Sequence, residues 1–147
     1  AIHTAYLCER IASKLYMNAA AAKAGGYYHK IGVLQNDNSY EAVEGILAEY
    51  HMPGQALQIL KEYLQPDIPI RSRETVVLLF ADTMISSISY LFKKNKEAVL
   101  DYDKLVEAVF QKKLSSGILN QSEISIGDLE QMKKILAGEQ LYYDFLR

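Results

Sequence analysis

Apolar residues recur along nearly the whole chain at three- and four-residue spacing, the period of helices, and no stretch alternates as a half-buried strand would. Residues 2–15 set Tyr6, Leu7, Ile11, Ala12 and Leu15 on one face, which predicts a first helix. Asn18 has the chemistry of a cap for a second helix running from 19 to about 29. The alanines of that helix permit close approach to a neighbour, whereas Gly25 and Gly26 are expected to weaken or bend it. The polar run Gln35-Asn36-Asp37-Asn38 reads as a loop. Ser39 then caps a third helix carrying Val43, Ile46, Leu47 and Tyr50, with Glu41 and Glu44 complementing the positive end of its dipole.

Pro53 suits the first turn of a fourth helix over 55–64, and Pro66 and Pro69 make 65–69 a loop. A fifth helix over about 72–94 is the most buried, because Val76, Val77, Leu78, Leu79, Phe80 and Ala81 leave little polar face. A sixth covers about 102–114. After a turn at Gly117, Ser125-Ile126-Gly127-Asp128 has the form of a capping box that opens the last helix. Tyr142, Tyr143 and Phe145 are either core or an apolar face left for a neighbour. The expectation is an all-α bundle of roughly seven helices, with 1–147 as one domain, since no repeat and no long linker divides it. The chain opens at Ala1 with no methionine and no signal-like segment, so it reads as a piece of a longer protein.

Composition narrows the class of function. Hydrophobic residues make up 50% and charged residues 23%, a globular balance, and the net charge is −2 with the two signs interspersed. A nucleic-acid polymer is therefore not an expected partner, because such binding needs a basic stripe to displace counterions. The clusters Arg71/Arg73, Lys93/Lys94/Lys96 and Lys112/Lys113 could meet a small phosphate ligand, although such clusters are more often solvated helix faces. A single cysteine, Cys8, excludes an internal disulfide and points to a reducing compartment, with a packing role for the thiol. The apolar run 76–92 contains Asp82 and three serines, which makes it too short and too polar for a comfortable membrane span. No direct membrane insertion of this segment is expected.

The candidates for chemistry are His3, His29, His51 and Asp82. An ionised carboxylate inside the run Val77-Leu78-Leu79-Phe80-Ala81-Asp82 is costly unless it is paired, hydrogen-bonded, metal-bound or turned to solvent. His29 closes the second helix in Tyr27-Tyr28-His29-Lys30-Ile31-Gly32, and a lone histidine there is usually structural. His3 carries no meaning by itself. His51, in Glu49-Tyr50-His51-Met52-Pro53, suits a helix C-terminus, where a histidine is electrostatically favoured.

Taken together, His3 on the first helix, then His29-Lys30-Ile31-Gly32, then Ala81-Asp82 on a long apolar helix resemble the HD superfamily. These are all-α metal-dependent phosphohydrolases whose signature is a histidine, a His-Asp pair and a distant aspartate. The stretch Arg73-Glu74-Thr75-Val76-Val77-Leu78-Leu79-Phe80-Ala81-Asp82-Thr83 is similar to the cytoplasmic HD domain of seven-transmembrane HD proteins, which hydrolyse cyclic di-AMP. So is the tail from Leu105 through Lys112-Lys113-Leu114 and Gly117 to Ile126-Gly127-Asp128-Leu129. The likeness spans nearly the whole chain and is weakest between Val33 and Leu64. It implies that His3, His29 and Asp82 match metal ligands, that the chain is cytoplasmic, and that its parent is a membrane-associated protein.

The departures from that pattern point away from turnover. Lys30 stands where the aspartate of the His-Asp pair would bridge two metals. Val33 replaces the lysine that commonly follows the signature glycine. Tyr63 and Leu64 stand where the family has paired histidines, and His51 is out of register with them. A lysine adds positive charge and has no lone pair to donate, so it opposes a two-cation cluster. Lys30 is expected either to pair with Asp82, in which case its removal should cost ~3–5 kcal/mol as for a buried ion pair, or to extend into solvent.

Three functions follow. The first is a degenerate, non-catalytic HD module that needs no metal and binds a cyclic dinucleotide, another small phosphate ligand, or another domain of its parent. The second is a working phosphodiesterase with one divalent metal (Mn, Fe or Mg) on His3, His29, Asp82 and water. The third is a ligand-free helical scaffold, facing a second copy (as a homodimer) or another domain of its parent through the tail Leu141-Tyr142-Tyr143-Asp144-Phe145 and drawing on 11 tyrosines.

Overall fold

Twelve of the 22 residues of the helix Arg73–Lys94 are buried, so this helix is the axis on which the others pack. The computed structural model describes all residues 1–147, and the chain is helical with no strand. In order the helices are α1 (Ile2–Lys14), α2 (Ala19–Tyr28), a 3-10 turn (Ile31–Gln35), α3 (Tyr40–Leu47), α4 (Gly54–Leu64), α5 (Arg73–Lys94), α6 (Tyr102–Ser115), α7 (Ile126–Ala137) and α8 (Gln140–Asp144). The fold is thus the expected all-α bundle. The short α8 and the 3-10 turn are additions that helical periodicity is too coarse to resolve.

One contiguous apolar core draws side chains from α1, α2, α4, α5, α6, α7 and α8. Phe80 of α5 stacks on Phe110 of α6 with ring centroids 4.1 Å apart. By length and composition α5 could cross a membrane, contrary to the expectation from its serines and Asp82. What marks it as a core helix is its burial among the other helices.

Caps fall where the polar residues predict them. Asn18, Ser39 and Ser125 each accept a backbone N–H from the first turn of α2, α3 and α7. The start of α5 is different: Glu62 of α4 accepts from the backbone N–H groups of Arg71 at 3.0 Å and Ser72 at 2.9 Å, and from the Ser72 hydroxyl at 2.7 Å. A buried carboxylate from one helix thereby satisfies the positive end of the next.

Gly25 and Gly26 do not break α2. A Cβ on Gly26 would lie 2.6 Å from the Ala5 Cα, so the glycine lets α1 and α2 touch backbone to backbone. The third helix is shorter than its pattern suggested, ending at Leu47 and leaving Tyr50 exposed. Its apolar face ends with Val43 and Leu47, and Tyr50 has nothing to pack against. His51 therefore lies in the exposed connection between α3 and α4, not at a helix C-terminus.

Candidate functional site

Three helices converge on Asp82. It lies midway along α5 with its side chain 17% exposed, opposite the C-terminus of α2 and the last turn of α4. The Tyr63 hydroxyl, from α4, donates to Asp82 Oδ2 at 2.5 Å. The Ser86 hydroxyl, one turn further along α5, donates to Oδ1 at 3.3 Å. His29 Nε2 lies 3.4 Å from Oδ1, and the Lys30 ammonium lies 4.0 Å from the same atom.

Burial alone would push the Asp82 carboxyl up. The contacts of His29 and Tyr63, with the Lys30 charge added, outweigh it and hold the carboxyl at about 2. Burial and the adjacent carboxylate push the Tyr63 hydroxyl up, so it stays a donor. From α1 the nearby group is Cys8, whose thiol is pushed up by burial and then by the Asp82 charge, and stays protonated and inert.

His29 is held from behind. Its Nδ1 is 2.8 Å from the Gly26 carbonyl, and a carbonyl only accepts, so Nδ1 carries a proton. Nε2 has no conventional hydrogen-bond partner and faces Asp82. The Asn38 side chain fixes the turn that follows, accepting from Gly32 N at 3.0 Å and donating to the His29 carbonyl at 2.7 Å. Gly32 is obligatory there, since a Cβ would lie 2.1 Å from the Asp37 carbonyl oxygen.

The sequence candidates divide. His29, Lys30, Tyr63 and Asp82 come together. His3 does not: it is exposed near the start of α1, with Nδ1 2.7 Å from the Tyr142 hydroxyl. Leu64 turns to the small apolar cluster of Val43, Leu47 and Leu60. Lys30 is at the rim, its side chain 54% exposed, so the expected ion pair with Asp82 forms at its outermost limit and not as a buried pair. The sequence singled out Tyr63 only as a lost histidine. That it would become the main partner of Asp82 had no local signal.

The side chains at this site that could offer a divalent metal a donor are His29 and Asp82. His29 has the geometry of a ligand, with Nδ1 tied to a carbonyl and Nε2 facing Asp82 Oδ1 at 3.4 Å. No three His, Cys, Asp or Glu side chains are placed to share an ion. Both Asp82 oxygens already accept from protein hydroxyls, and an ammonium stands beside them. Three protein ligands with an open position are the usual minimum for a catalytic metal.

No family profile matches the chain, and no curated protein matches its sequence. Its fold does resemble those of solved crystal structures. One is the HD domain of the L. monocytogenes phosphodiesterase PgpH in complex with cyclic-di-AMP, with TM-score 0.73 and 14% identity over 96% of this chain and 89% of that one. Another is a second crystal structure of the L. monocytogenes PgpH HD domain, with TM-score 0.70 and 16% identity over 96% and 89% of the two chains. The chain has the fold of an HD domain.

Proposed function

We propose that this chain is a degenerate, non-catalytic HD module that binds a nucleotide, with a cyclic dinucleotide the first candidate, and serves a regulatory role within a longer, membrane-associated protein. One observation carries the reading: both oxygens of Asp82 are engaged by protein donors, with the Lys30 ammonium 4.0 Å from one of them. Binding two divalent ions would require two like charges to settle beside an ammonium. The complex of the L. monocytogenes domain with cyclic-di-AMP supports the choice of ligand class.

A second reading, a one-metal phosphodiesterase, is favoured by His29 Nε2, which makes no hydrogen bond and faces the Asp82 carboxylate. Metal analysis on protein purified without chelator, followed by cyclic di-AMP turnover with added Mn²⁺, separates the two. The expected outcome is substoichiometric metal, no turnover, and cyclic di-AMP binding detectable by calorimetry. Stoichiometric metal, with turnover abolished in Asp82→Ala, overturns the non-catalytic reading.

A further inference from the structure

The segment 65–70 after α4 and the turn 117–121 after α6 flank an open cavity of about 600 Å³. That is within the roughly 300–1,000 Å³ of small-molecule sites. Its apolar walls include Tyr63, Pro66, Ile68 and Leu79, and it carries the carboxamides of Asn120 and Gln121. No lysine, arginine or histidine lines it.

Two features make it a poor seat for a phosphate. The one charged lining side chain is Glu62, an anion. The nearest helix start is that of α5, and the backbone N–H groups of Arg71 and Ser72 there are already engaged by Glu62, leaving them unavailable to an incoming anion. With no cation in the wall, a phosphate entering this space would lose its hydration without a counter-charge.

The same walls suit a flat, uncharged ligand. An aromatic ring, two prolines and aliphatic side chains offer apolar area, and a carboxamide both donates and accepts. The Gln121 carbonyl oxygen accepts from Arg71 Nη2 at 3.4 Å, which leaves its amide N–H groups for a ligand. Arg71 is exposed and lies outside the lining, so positive charge stands beside the cavity and not within it.

We infer that this cavity binds a neutral, planar, hydrogen-bonding heterocycle of the nucleobase kind, between the apolar walls and the Asn120 and Gln121 carboxamides. This deepens the nucleotide-binding reading, on which it rests for the source of the base, by assigning the base and not the phosphate to this space.

The test uses the intact chain and two probes that split a nucleotide: adenosine, a base and sugar without phosphate, and ribose 5-phosphate, a phosphate without base. Adenosine should bind by calorimetry and shift the amide resonances of Ile68, Asn120 and Gln121, and ribose 5-phosphate should not. Ile68→Trp, on a half-buried loop position, should fill the space and weaken adenosine by at least about tenfold. Asn120→Ala and Gln121→Ala, both at exposed positions, should weaken it several-fold with an unchanged far-UV spectrum. No adenosine binding at millimolar concentration, equal binding of ribose 5-phosphate, or unchanged adenosine affinity in all three variants overturns the inference. Cyclic di-AMP turnover would end the non-catalytic reading but leave adenosine binding in place, so the two failures are distinguishable.

Discussion

Tyr63 on α4 donates its hydroxyl to the Asp82 carboxylate on α5 across 2.5 Å, joining two helices through the group that the HD pattern would assign to a metal. A short O–H···O⁻ bond is among the stronger hydrogen bonds in proteins. Tyr63→Phe keeps the ring and removes only the donor. It should lower unfolding free energy by ~1.5–3 kcal/mol, the range for bonds to charged groups, measured by urea denaturation. A double-mutant cycle with Asp82→Ala should show strong coupling. Additive effects would mean the bond contributes nothing specific.

Lys30 should matter far less. With its ammonium 4.0 Å from Asp82 and its side chain 54% exposed, it resembles a surface ion pair. Lys30→Ala should cost less than about 1 kcal/mol, well short of the penalty expected from the sequence for a buried pair. A loss of several kcal/mol on thermal or chemical denaturation would restore the buried-pair account.

Glu62 ties stability to acid. Burial alone would push its carboxyl up, but the donors from Gln58, Ser72 and Arg71 outweigh that and hold it below its ordinary 4.5. The folded state then binds fewer protons than the unfolded state in that range. The stabilisation is complete above pH 4.5 and is lost as pH falls through the lower folded value. Glu62→Gln should destabilise by ~1.5–3 kcal/mol at neutral pH and flatten the acid limb of the stability profile. An acid limb as steep as that of the unmodified protein would refute the assignment.

Gly26→Ala tests the contact between α1 and α2. In an open helix alanine would stabilise by ~1 kcal/mol. Here its Cβ would meet the Ala5 Cα at 2.6 Å and the Ala5 nitrogen at 2.8 Å, both backbone atoms that cannot rotate away. The overpacking should win and destabilise by ~1–3 kcal/mol, read from thermal unfolding. A higher melting temperature would show that the two helices can separate freely.

Much of this architecture is legible locally. Asn18, Ser39 and Ser125 announce their helices because a cap acts within three residues of its own position. The unbroken apolar run of α5 announces its burial for the same reason. Helix propensity marks Gly25 and Gly26 as weaknesses because it is a single-helix property. Their use is to admit the neighbouring α1 backbone and the Ile59 side chain.

By itself, the sequence determined the helical fold class and the deep position of α5. Each of those is a property of residue type and short-range spacing. Only the tertiary structure decided that His29 and Tyr63 meet at Asp82, that His3 turns instead to Tyr142, and that Glu62 caps α5. Those outcomes depend on how each helix is rotated and where it crosses its neighbours. Packing of the whole core sets those angles, and no short-range pattern encodes them.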